Sequence, residues 1–155
     1  MLTALDNPGV VARPPLLYGA TFIVALVLHW LWPMPIHADF AAPWAGFALL
    51  ASGVGVALWG RKTMQGAGTN IDPSLPTTAV VASGPFQFSR NPLYLALTLA
   101  YLGLTLVVDT WWGVVALVPL LVIMHRGVVL REERYLERTF GETYRQSRSR
   151  VRRYL

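Results

Sequence analysis

Four apolar runs without a single Asp, Glu, Lys or Arg occupy residues 16–32, 44–60, 93–108 and 111–124, and the last continues past His125 and Arg126 to Leu130. Each is short against the ~20 residues that a helix needs to cross a bilayer. Flanking arginines and aromatic side chains extend them. A soluble domain offers no place for so much uncharged surface. Only 14% of this chain is charged, against about 25% in soluble domains, and a chain this short keeps much of its surface exposed. The expected fold is all-α: an integral membrane bundle of about four transmembrane helices with a helical carboxy-terminal extension. A single domain over 1–155 is expected, with spans 16–32, 44–60, 93–108 and 111–130, a polar loop 61–91 and an arm 131–155.

Prolines mark the helix starts. Pro14 and Pro15 open the first run and Pro33 closes it, while Pro43 and Pro92 suit the first turns of the second and third. Only Asp109 and Thr110 separate the third and fourth runs, so these helices are antiparallel neighbours. The connections after runs one and three carry Asp39 and Asp109 but no Arg or Lys. Arg13, Arg61, Lys62, Arg90 and the arm fall on the opposite side. The distribution of positive charge then puts both termini in the cytosol, and a bacterial inner membrane is the expected location. The amino terminus lacks the features of a cleaved signal peptide, so the first run is expected to be retained.

The net charge of +5 resides in the arm: residues 126–155 hold nine arginines and four glutamates, while the first 125 residues balance to zero. Beside apolar spans such an arm faces anionic membrane lipid rather than nucleic acid. No cysteine is present, and His29, His37 and His125 form no metal-type pair. Disulfides and thiol nucleophiles are thus excluded and no metal is expected.

Two helix faces have the spacing of packing surfaces. Ala48, Ser52 and Gly55 form a small-residue stripe on the second run. Tyr94, Thr98, Tyr101 and Thr105 align four hydroxyls on the third, to bond between helices or to line a pocket. The 61–91 loop contains Val80, Val81, Phe86 and Phe88, too apolar for a free linker, so it folds onto the bundle. Beyond Leu130, Leu136, Phe140 and Tyr144 carry an apolar stripe through a charged helix, which Gly141 ends or bends. Glu132 and Glu133 sit where that helix leaves the membrane. Seven residues make nearly two turns, so His125 is expected above Glu132 and Arg126 above Glu133.

Three motifs recur in this order: G-P-F-x-x-x-R-N-P-x-Y at Gly84–Tyr94, E-E-x-x-L at Glu132–Leu136 and F-G-x-x-Y at Phe140–Tyr144. Together they resemble the isoprenylcysteine carboxyl methyltransferase family, within a broader group that includes phospholipid N-methyltransferases. The resemblance covers roughly Gly66–Tyr154. It implies S-adenosylmethionine as cofactor and an apolar or lipid-like methyl acceptor. Carried over by position, Thr78, Ala79, Val80 and Val81 would line the cofactor with backbone, Phe86 would pack on it, and Asn91, Pro92, Leu93 and Tyr94 would form the helix-start part of the site. Glu132, with Glu133 beside it, would hold a polar group of the cofactor. The cofactor's carboxylate would pair with Arg90 or with amides freed at the start of the third helix. Arg90 or Arg126 would orient a carboxylate acceptor, and His125 would serve as base for an amine. The chain departs from the prenylcysteine enzymes at two places. Asn91 stands in their R-H-P triplet, and Val128 stands where they place an Arg for the substrate carboxylate. Both argue against prenylcysteine as the acceptor. Two other readings compete: a membrane scaffold that recruits anionic lipid or a partner through the basic arm, and a transporter, for which no inverted repeat is visible.

Overall fold

The computed structural model describes residues 8–36, 41–73 and 75–154. His37 and Asp39, the start of the amino terminus and the last residue of the arm lie outside the described residues. Among the described residues six α-helices follow one another: α1 Pro14–Leu31, α2 Ala41–Gly66, α3 Pro92–Val108, α4 Trp111–Met124, α5 Leu130–Phe140 and α6 Glu142–Arg150. A π-helical turn, His125–Val129, joins α4 to α5 without a break, and a 3-10 turn, Gly84–Gln87, precedes α3. No strand occurs among the described residues.

Among the described residues, three helices are long and apolar enough to cross a membrane: α1, α2 and the continuous helix from Trp111. The apolar part of the last ends at Leu130, where Arg131, Glu132, Glu133 and Arg134 begin. The 17 residues of α3 make it about 26 Å long at 1.5 Å per residue, close to the hydrocarbon thickness. Leu16, Ile23, Leu58, Val118 and Val122 all point outward, the surface that lipid covers. Trp30, Trp32, Trp44 and Trp111 are exposed at the end where α1 stops and α2 and α4 start, as an interfacial aromatic belt would be.

The helices run up and down, and hydrogen bonds tie both ends. At the α3–α4 turn, Trp111 N donates to Met34 O at 2.8 Å and Trp112 Nε1 to Trp32 O at 2.8 Å. At the other end Val11 N donates to Gly127 O at 3.2 Å and Arg131 Nη1 to Gly9 O at 2.7 Å. A core of Tyr18, Tyr101, Leu117, Leu120, Met124 and Val128 joins α1, α3 and α4. Pro119 sits inside α4; membrane helices tolerate this where neighbours and local helix adjustments satisfy the freed backbone groups.

Several expectations are corrected here. Helix α2 runs on to Gly66, past the 44–60 run, so the connecting loop begins at residue 67 rather than 61. Arg61 and Lys62 end the apolar run but not the helix, because both are good helix formers. The small-residue stripe is a different one. Ala48, Ser52 and Gly55 are exposed. The close approach to α3 is made by Gly46, Gly53 and Gly60 at i, i+7 and i+14, facing Gly103, Ala96 and Leu93. The hydroxyl row, by contrast, does both things expected of it: Thr98 Oγ1 pairs with Tyr18 OH of α1 at 2.7 Å, and Tyr94 and Thr98 line a cavity together, while Thr105 Oγ1 bonds back to Tyr101 O.

Asp109 closes the α3–α4 turn. It adopts φ 55°, and its Oδ1 accepts from Ile36 N at 2.9 Å. Asp and Asn tolerate this left-handed conformation better than most residues. Asp109→Ala removes the acceptor and keeps the strain, an expected loss of about 1–2 kcal/mol or about 3–6 °C in a chain of this size. Thermal unfolding in detergent measures it. Asp109→Asn, which keeps an acceptor oxygen, should restore most of the difference; an Ala variant as stable as the wild type would contradict this role.

Candidate functional site

Two cavities lie side by side at the end of the bundle that carries the long loop, and Tyr94 is a wall of both. The loop that roofs the first is folded by its own sequence. Gly84 has φ 58°, and a Cβ there would lie 2.5 Å from Thr63 Oγ1, so only glycine lets the chain turn against α2. Pro85 is buried behind it and Phe86 turns inward. Thr78 Oγ1 bonds to Gly68 O at 2.8 Å, Thr78 N to Thr69 Oγ1 at 3.1 Å, and Thr77 N to Tyr135 OH at 3.3 Å. These bonds fold the loop back on the residues that follow α2 and hold it onto α5.

The first cavity, about 900 Å³ counting its open mouth, is bounded by that loop, the end of α2, the start of α3 and α5. At one place Tyr94 OH donates to Glu132 Oε2 at 2.7 Å. The carboxyl's other oxygen has no protein hydrogen bond among the described residues. Elsewhere on the lining, Glu133 is held by two arginines. Arg90 Nη1 lies 3.3 Å from its Oε1, while Arg153 brings Nε to Oε1 at 3.0 Å and Nη2 to Oε2 at 2.9 Å. Tyr144 OH accepts from Arg90 Nη1 at 3.4 Å. Arg90 Nε is buried and has no partner among the described residues. Burial raises the Tyr144 phenol above its ordinary value, with the Glu133 carboxylate adding and Arg90 opposing. The hydrogen bonds to Glu133 raise Arg153. The cavity therefore offers a half-buried carboxyl and, separately, an arginine cluster with net positive charge.

The second cavity lies between α3 and the α4–π segment. Leu95, Leu121, Val122, Met124 and Val129 line it, with Tyr18, Thr98, His125, Arg126 and Tyr154 as its polar members. His125 Nδ1 pairs with Tyr154 OH at 2.8 Å. Burial also raises the Tyr154 phenol.

Ala79, Val80, Val81, Phe86, Arg90, Asn91, Pro92, Leu93, Tyr94, Glu132 and Glu133 all line the first cavity. Thr78 does not; it is exposed and braces the loop. His125 and Arg126 belong to the second cavity. The expected stacking of His125 over Glu132 and Arg126 over Glu133 does not hold. The π-helical turn between them closes i→i+5 bonds, and it delivers the two pairs to different cavities. Three residues of this site escaped the sequence reading. Tyr144 was in view as the end of F-G-x-x-Y but had no role. Arg153 and Tyr154 sit in a basic tail that reads as surface charge.

The family model for phospholipid methyltransferase matches residues 41–143, which include α2 through α5 and most of both cavities. No curated protein and no solved structure matches the chain.

Proposed function

The chain belongs to the phospholipid methyltransferase family, and from that membership and the paired cavities we propose that it is an S-adenosylmethionine-dependent membrane methyltransferase acting on a small or lipid-like apolar acceptor. The observation that carries this reading is the shared wall. Tyr94 borders both hollows, and its hydroxyl is tied to Glu132. A donor in one cavity and an acceptor in the other would be neighbours beside Tyr94, where the two hollows adjoin.

The first cavity suits the cofactor in polarity. Arg90 and Arg153 together meet the single Glu133 carboxylate, and the excess positive charge suits a ligand carboxylate. The Glu132 carboxyl suits ribose hydroxyls or an ammonium group. Phe86 and Tyr94 supply aromatic surface that favours a cation. When bound, the cofactor supplies an electrophilic methyl group, and transfer needs neither a metal nor a covalent intermediate.

This chain's residues then contribute alignment. Arg90 and Glu132 fix opposite polar parts of the donor. The loop roof covers one side of the donor. The second cavity admits an apolar body beside lipid-facing Leu121 and Val122. Holding two reactants in register in this way is the main catalytic device such a reaction requires. His125 remains the nearest base for a protic acceptor, and Arg126 the nearest cation for an anionic one. Both termini and both cavities would face the cytosol, where the cofactor is made, and the acceptor would arrive sideways from the bilayer.

Calorimetry of S-adenosylhomocysteine with detergent-purified protein tests the reading. Binding with a Kd of roughly micromolar to millimolar is expected. Absence of heat at saturating ligand would overturn it.

A further inference from the structure

The last described residues of the chain do not trail into solvent. After α6 the backbone turns extended at Val151, with ψ 132°, and crosses back over the start of α3. Arg90 N donates to Arg152 O at 3.0 Å. Ser89 Oγ and Asn91 Nδ2 donate to Arg153 O at 3.3 and 3.0 Å. The Arg153 side chain lies on Glu133 and the Tyr154 hydroxyl on His125. Four residues thus reach the α3 N-terminus, α5 and the π-helical turn, and they touch residues of both cavities.

The consequence for charge is specific. A guanidinium that meets a carboxylate alone prefers to engage it with two parallel N–H donors. Here Arg153 takes both oxygens of Glu133. Arg90 is left with one contact to that carboxylate, at 3.3 Å, and with a buried, unpartnered Nε. Two positive charges face one negative charge. Remove Arg153, and Arg90 can turn its full fork onto Glu133, which neutralises the cluster.

We propose that the segment 151–154 is a positioning strap in which Arg153 occupies Glu133 so that Arg90 stays available to an anionic group of the ligand in the first cavity, while Tyr154 pins the strap to His125. The proposal rests on the reading of that cavity as a donor site and adds a residue to it. Arg153 touches no ligand in this account; it acts through Glu133 and Arg90.

The test is a pair of ligands measured on the full-length protein in detergent. S-adenosylhomocysteine carries a carboxylate and adenosine does not. Arg153→Gln should weaken S-adenosylhomocysteine binding about tenfold or more, the scale of one charge-assisted contact, and leave adenosine binding within about twofold. Arg153→Lys, which keeps the charge but not the fork, should recover part of the loss. Tyr154→Phe removes only the hydroxyl on His125; it should speed hydrogen exchange at the Arg90 amide, which donates to Arg152 O, and weaken S-adenosylhomocysteine by a smaller factor. If Arg153→Gln lowers the affinity for both ligands equally, the tail is merely structural and the proposal fails. It fails also if neither affinity changes. A wild-type protein that binds neither ligand overturns the donor-site reading itself, a result distinguishable from both.

Discussion

Glu132→Ala should reduce S-adenosylhomocysteine affinity by about 100-fold or more while leaving a folded, monodisperse protein. The carboxyl spends one oxygen on Tyr94 OH, at 2.7 Å, and presents the other to the first cavity. Hydrogen bonds to a charged group contribute about 1.5–3 kcal/mol each. A carboxylate that holds two donors of a ligand therefore accounts for two orders of magnitude or more. Tyr94→Phe separates positioning from contact. It frees the second oxygen and lets the carboxyl rotate, so a loss of about tenfold is expected. In the double variant the tyrosine should no longer matter, because its hydroxyl acts through the carboxyl; residues in one hydrogen-bonded unit are not additive. Calorimetry supplies the four affinities, and thermal unfolding checks that each variant is folded. A Glu132→Ala protein that binds within about threefold of wild type would remove the carboxyl from the donor site.

The same pair shows which parts of the molecule the sequence made visible. Glu132 and Tyr94 stand in separate motifs 38 residues apart, and the order of those motifs across a two-residue turn sufficed to bring them together. The helices were visible for a simple reason: an uncharged apolar run flanked by proline has few other ways to satisfy its backbone in lipid. What stayed hidden depends on contact rather than pattern. The α2 helix overran its apolar stretch because a charge ends a membrane span, not a helix. The π-helical turn has no signature in His125–Val129, yet it decides that His125 and Arg126 serve a different cavity from Glu132 and Glu133. Arg153 and Tyr154 belong to a run of arginines whose composition announces only solvation. Their role is set by where the tail crosses α3, which periodicity does not encode.

The choice between two stripes on α2 gives the sharpest test of the bundle. This helix is rich in small residues on every side, so spacing alone admits both Ala48–Ser52–Gly55 and Gly46–Gly53–Gly60. The structure chooses the second. A Cβ at Gly53 would lie 2.6 Å from Ala96 O and 2.8 Å from Ala100 N, both backbone atoms that cannot move without moving α3. At Gly55 nothing stands within 4 Å. The identical change of one hydrogen to one methyl should therefore have opposite signs two residues apart. Gly53→Ala must push α2 and α3 apart and open the start of α3 that frames the first cavity. Overpacking of this kind costs about 1–3 kcal/mol or more, so a fall in melting temperature of about 5–10 °C is expected, together with weaker S-adenosylhomocysteine binding. Gly55→Ala relieves the entropic cost of a helical glycine and should leave stability unchanged or raise it by about 0.5–1 kcal/mol. A spacing of seven that repeats from Gly46 to Gly60 also implies a left-handed crossing of the two helices, so the approach persists along the whole contact and no single clash can be absorbed by a local shift. If Gly55→Ala proved the damaging substitution and Gly53→Ala the harmless one, α2 would face α3 with its other side, and the start of α3 could not occupy the position that both cavities require.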